Sequence, residues 1–190
     1  PNPEGQIINV DDNYLDGSFE NNGIIKLDGT TLNINEKLDN YREVLNTKNS
    51  RLSVSFTKYS SGRFENNPGS SLTNISSKIV NTGIIQNHIG SYLTNTGGLL
   101  EIARNGTLNN DGTLNNDGML NNNIGVIDNS ENKLGAKGFI NNGTYQGTGN
   151  IKGSWTDHGT VKPGNSVGGM LVDGNYYKKG GSKEIELGGT

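Results

Sequence analysis

The amino-acid sequence predicts an all-β fold, a single parallel β-solenoid domain over residues 1–190, and three observations predict it. The stretch "GTLNNDGTLNNDGMLNNNIG", Gly106 to Gly125, writes nearly one six-residue phrase three times. Hydrophobic residues make up only 29% of the chain, below the roughly 45–50% of ordinary globular domains. Yet they recur beside glycine at fixed intervals, as in repeat architectures, and are not scattered as in a polar disordered tail. Turns built from Asn, Asp and Gly follow one another too closely for hairpins, whose strands need about four to eight residues.

The repeating unit is Gly-x-Φ-x-Asn-x, with Φ apolar. It fits Gly106-Thr107-Leu108, Gly112-Thr113-Leu114, Gly118-Met119-Leu120 and Gly125-Val126-Ile127. Upstream it recurs at Gly17-Ser18-Phe19, Gly23-Ile24-Ile25, Gly62-Arg63-Phe64, Gly83-Ile84-Ile85, Gly90-Ser91-Tyr92 and Gly98-Leu99-Leu100. Downstream it recurs at Gly138-Phe139-Ile140, Gly143-Thr144-Tyr145, Gly149-Asn150-Ile151, Gly153-Ser154-Trp155 and Gly159-Thr160-Val161. Each unit has room for a strand of a few residues and a turn where positive φ is cheap. Such strands become stable when each lies parallel to its counterpart one coil away, with Leu on Leu inside and Asn beside Asn at the corners. Three sides predict about 18–22 residues per coil and eight or nine coils, a rod on the order of 40 Å at about 4.8 Å per coil. The spacing is too uneven for the left-handed hexapeptide helix and favours a right-handed β-helix.

One stretch, Asn33 to Ser61, has no glycine. Within it Leu38, Tyr41, Val44 and Leu45 fall at helical spacing, while Leu52, Val54 and Phe56 alternate as in a strand. This predicts a helix-and-strand excursion around 33–61 that covers one side of the coil stack.

The formal net charge of −3 is spread without charge blocks, which argues against nucleic acid and anionic membranes as partners. No apolar run approaches the roughly 20 residues of a membrane span. The opening "PNPEGQ" carries no leader pattern, so a signal peptide is expected to have been removed or left out. The absence of cysteine excludes disulfides, thiolate metal sites and a cysteine nucleophile.

Glycan-cleaving β-helices need carboxylates grouped on one face, and the candidates are Asp11, Asp12, Asp111, Asp117, Asp128, Asp157 and Asp173. Asp111 and Asp117 occupy equivalent turn positions and are expected at different corners. His88 and His158 lack a partner at ligand spacing, and the side chains of adjacent Asp157 and His158 are expected to point apart. The glycine-aspartate pattern lacks the calcium-binding nonapeptide. No catalytic, cofactor-binding or metal-binding residue is therefore assigned, and no cofactor is expected. Tyr145, Trp155, Tyr176 and Tyr177 fit either a core plug or an exterior sugar-stacking strip. Thr107 and Thr113 begin the row an ice-binding face needs, but Met119 interrupts it. Asn74, Asn105 and Asn142 head glycosylation acceptor patterns.

The closing stretch "GTVKPGNSVGGMLVDGNYYKKGGSKEIELGGT", Gly159 to Thr190, resembles the passenger-associated transport repeat of bacterial autotransporters. Gly159, Pro163, Gly164, Asn165, Ser166, Gly168, Val172, Gly174, Asn175 and Tyr176 carry the match, with Val161 and Met170 as apolar substitutes for Leu. Ile185, Glu186 and Leu187 supply the later strand. Gly169 and Leu171 depart from the pattern, at positions commonly polar. The resemblance implies an exported, cell-surface, right-handed β-helix. The expected function is a non-enzymatic extracellular structural or adhesive module, a stalk or filament subunit. The alternative is a glycan-binding or glycan-cleaving β-helix, with cell-surface glycans as partners. "KEIEL" at 183–187 and "GQIINV" at 5–10 read as uncapped ends, which predicts head-to-tail self-association by strand addition.

Overall fold

A computed structural model describes residues 13–15, 18–22, 24–28, 31–34, 37–40, 43–47, 51–54, 62–164 and 168–185. Among them, 25 short strands form three parallel sheets of nine, eight and eight strands. Each sheet takes every third strand, so the chain visits the first, second and third sheet in turn and then lies on the coil before it. This is the β-solenoid that the repeat predicts. No helix among the described residues is long and apolar enough to cross a membrane.

The apolar member of each unit points inward and stacks on its counterpart. Ile79, Leu100 and Leu120 line the first sheet, Ile85 and Leu108 the second, and Leu72, Leu93 and Leu114 the third, all fully buried. Each such side chain contributes roughly 1.5–3 kcal/mol of burial. About one inward apolar residue per short strand fills this narrow core, which is why a chain so poor in hydrophobic residues folds.

Two corners are held by buried asparagine ladders. At the corner after the second sheet, Asn21, Asn40, Asn66, Asn87, Asn110 and Asn129 follow one another. After the third sheet, Asn46, Asn74, Asn95, Asn116 and Asn141 do the same, and Asp157 ends the row. In each step Nδ2 donates to Oδ1 of the next coil at 2.7–2.9 Å. Most also donate to a backbone carbonyl further on, as Asn87 does to Thr113 O at 3.0 Å. A buried polar group is tolerated when its partners are supplied, and the repeat supplies them from coil to coil except where the third-sheet row begins, since Asn46 follows Leu27 and its buried Oδ1 has no donor among the described residues. The corner after the first sheet differs, because Asn81 and Asn122 are separated by Ile102 and make no shared row.

Glycine opens the strands because the coil beneath leaves no space for a side chain. A Cβ on Gly118, Gly143 or Gly159 would overlap the carbonyl oxygen of Gly98, Gly118 or Gly143 respectively. Those same oxygens accept the next amide, as in Thr144 N–H to Gly118 O at 2.8 Å. None of the three glycines has a left-handed φ, so proximity rather than backbone freedom selects the residue.

Several sequence expectations are corrected. Among the described residues of 33–61 no helix forms: Lys37–Asn40 and Glu43–Thr47 are strands of the second and third sheets. Leu38 and Val44 are inward core residues and Leu45 points outward. The reason is that Leu38-x-Asn40 and Val44-x-Asn46 keep the apolar-x-Asn half of the unit, and the asparagines join the ladders. Leu52 lies in the strand Arg51–Val54 as the alternation predicts, while Tyr41, Phe56 and residues 55–61 lie outside the described residues. Coil length is also more variable than expected, with ladder partners between 16 and 28 residues apart. In two units the inward residue is displaced. Leu93 rather than Tyr92, and Phe139 rather than Ile140, enters the core.

Candidate functional site

The outward face of the second sheet gathers polar side chains. The third residue of successive strands places Glu65, Gln86, Asn109, Asp128, Lys152 and Asp173 in one row, each in register with the next. Asn109 Nδ2 donates to Gln86 Oε1 at 3.0 Å, and Gln86 Nε2 donates to Asp111 Oδ2 at 2.8 Å. Asp128 accepts from the Ser130 amide at 3.1 Å and hydroxyl at 2.5 Å, with the Lys152 ammonium at 3.8 Å. Gln86, Asn109, Asp111, Asp128 and Glu131 line a groove of about 240 Å³. At its amino-terminal end, buried Glu65 pairs with Arg63 and with His88 Nε2, the latter at 2.6 Å. Amides and carboxylates so arranged offer donors and acceptors to hydroxyl groups. Among the described residues no three histidine, aspartate or glutamate side chains converge as a metal ion requires.

The sequence candidates fall as follows. Asp111 and Asp117 follow strands of different sheets, as expected from their equivalent turns. Asp111 joins Asp128 and Glu131 at the groove, whereas Asp173 is exposed on the coil beyond and Asp157 is buried. Asp11 and Asp12 lie outside the described residues. His158 is exposed while Asp157 turns inward, so the pair points apart. His88 is not isolated, because Glu65 of the preceding coil reaches it. That partner is 23 residues away, and uneven coil lengths hide it in the sequence. Thr107, Thr113 and Met119 belong to three different sheets, so no threonine row forms. Asn74 is a fully buried ladder member, while Asn105 and Asn142 are exposed and Asn142 donates to Asp117 Oδ1 at 2.8 Å.

The aromatic residues build a plug, not an exterior strip. Phe139, Trp155 and Tyr176 stack with centroids 5.2 and 4.9 Å apart, and Tyr145 lies 5.3 Å from Trp155. Tyr145 and Trp155 are fully buried, Tyr176 is half-buried and Tyr177 is exposed. Beside the plug, the third-sheet ladder ends on Asp157. Its Oδ1 accepts from Asn141 at 2.7 Å and from the Gly159 amide at 3.1 Å. Its Oδ2 accepts from Lys178 Nζ at 2.6 Å and Tyr176 OH at 2.9 Å. All ladder amides donate toward this end, so their positive ends face the carboxylate, much as an anion sits at a helix amino terminus.

Burial holds both the Tyr145 and the Tyr176 hydroxyl above the ordinary tyrosine range. At Tyr176 the hydrogen bond to Asp157 and its negative charge add to this, while at Tyr145 the Asn122 donor works against it. A pKa raised on folding stabilises fully below the unfolded value, about 10, and the contribution is lost as pH rises through the folded value. Stability is therefore expected to be flat from tyrosine titration between pH 7 and 9 and to fall above about pH 10. Denaturation midpoints against pH, with phenolate absorbance alongside, check this. Tyr145→Phe combined with Tyr176→Phe should flatten the alkaline slope.

No protein family, curated protein or solved structure matches the chain in the comparisons with known proteins.

Proposed function

We propose that the chain is a non-enzymatic structural or adhesive module of the extracellular space or cell surface, a stalk or a head-to-tail filament subunit. The observation that carries this reading is the pair of buried asparagine ladders, which spends the same residue on the same contact in coil after coil. Such an interior makes a rod of defined length, with outward positions free to vary. The likeness of residues 159–190 to an autotransporter transport repeat supports surface display and right-handed winding. That stretch supplies strands to all three sheets, Thr160–Pro163 and Ser182–Lys183 to the first, Leu171–Asp173 to the second and Tyr176–Lys178 to the third.

In the last described coils inward Val172 and Tyr176 remain half-exposed, and Leu171 and Ile185 are exposed; this is apolar surface that a coil of a second copy, or a further coil of the same chain, would cover. "GQIINV" and residues 186–187 lie outside the described residues. Sedimentation over a wide concentration range is expected to show association that disappears when residues 183–190 are deleted. A strict monomer would remove the filament and leave the stalk.

The groove at Asp111, Asp128 and Glu131 favours a second reading, a glycan-cleaving enzyme. Incubation with a broad panel of polysaccharides is expected to release no new reducing ends or unsaturated products. Reproducible products, lost in Asp111→Asn or Asp128→Asn, would replace the first reading with this one.

A further inference from the structure

We propose that a second concavity, on the outward face of the third sheet near its carboxyl-terminal end, binds an acidic oligosaccharide bearing uronic-acid carboxylates. This rests on the adhesive part of the reading above and gives it a contact site. The longer connection before Phe139 carries the 3-10 turn Gly135–Lys137, which packs on the strands Phe139–Asn141 and Trp155–Asp157. It forms one wall. Thr156 and Tyr177, in register on adjacent strands, form the floor beside Ser154. The concavity is open to solvent and holds about 360 Å³, at the lower end of the roughly 300–1,000 Å³ of ordinary ligand sites.

Charge selects the ligand. Lys78, Lys152, Lys162 and Lys178 each pair with an acidic residue. Lys137 and Lys179, both exposed at this concavity, have no such partner among the described residues. No Asp or Glu lines the site, in contrast to the acidic groove on the second sheet. An uncompensated positive pair on a chain of net charge −3 is a local feature, suited to an anion. Tyr177 is 43% exposed and offers a ring face for the apolar side of a sugar, while the Thr156 and Ser154 hydroxyls can exchange hydrogen bonds with sugar hydroxyls. Backbone contacts fix the frame: Lys179 N–H donates to Asp157 O at 2.7 Å and Gly138 N–H to Gly135 O at 3.0 Å.

The test is calorimetric titration of the full chain with a galacturonate oligomer, a neutral cello-oligosaccharide and inorganic sulfate alone, at low and high salt. Saturable, salt-sensitive binding of the galacturonate oligomer is expected, with neither other probe matching it. Lys137→Ala, Lys179→Ala and Tyr177→Ala should each weaken binding by roughly three- to tenfold, and circular dichroism should show the fold kept, since all three side chains are exposed. Absence of saturable binding, equal binding of sulfate alone, or indifference to all three substitutions would overturn the site. Substitutions that change sedimentation but not sugar binding would also overturn it, in favour of contact with a second copy. Adhesion of the whole chain to cell surfaces, measured separately, distinguishes the two levels: adhesion kept by the triple variant sinks only this site, and no adhesion by the unsubstituted chain sinks the adhesive reading.

Discussion

Asp157→Ala is expected to destabilise the carboxyl-terminal coils by about 2–4 kcal/mol, because it removes a buried acceptor on which several donors converge. The carboxylate is fully buried and accepts four hydrogen bonds, from Asn141, Gly159, Tyr176 and Lys178. Truncation leaves Lys178 with only the Gly159 and Ser182 carbonyls and strips the ladder of its last acceptor. Asp157→Asn isolates the charge. Its oxygen still serves Asn141 and the Gly159 amide, but its NH2 faces the Lys178 ammonium. Lys178→Gln should relieve that conflict, so the double variant is expected to be more stable than Asp157→Asn alone. Denaturant midpoints and amide exchange from Phe139 onward read the effect. A loss below about 1 kcal/mol in Asp157→Ala would mean that the ladder needs no anionic end.

Asn116→Ala, in the middle of the same ladder, is expected to cost roughly 2–4 kcal/mol. Asn95 keeps two carbonyl acceptors, Gly98 O and Met119 O, and is little harmed. Asn141 Oδ1 loses its donor from Asn116 in a buried site, and a cavity opens where the amide was. Asn81 provides the comparison. It bonds Thr107 O and the Gly83 amide but no second ladder asparagine, so Asn81→Ala is expected to cost less, about 1 kcal/mol. Equal losses at the two positions, measured by the same denaturation, would show that stacking of amides adds nothing to each bond taken singly.

Much of the fold was legible because inward and outward residues alternate within a short unit, as at Thr107-Leu108-Asn109-Asn110. The strands Lys37–Asn40 and Glu43–Thr47 are hidden from a reading keyed on glycine. Glycine only reports where the neighbouring coil crowds the backbone, and Leu38-x-Asn40 shows that apolar-x-Asn is the more dependable sign. Trp155-x-Asp157 is the same sign with aspartate in place of asparagine, which marks the ladder's end. The groove was less legible. Glu65 meets His88, and Asp111 shares a groove with Asp128, across coils whose lengths differ, and no local spacing in the sequence records which of them share a face.

The hydrogen bonds between coils run along the rod, and this fixes how it yields to force. Pulled by its ends, the stack loads every interface in series, and the outermost coil peels before any inner one is disturbed. A coil such as that from Leu99 to Met119 occupies about 4.8 Å of the rod but extends to roughly 65–70 Å once released. The rod therefore lengthens in coil-sized steps, giving way at one end while the remainder keeps its shape.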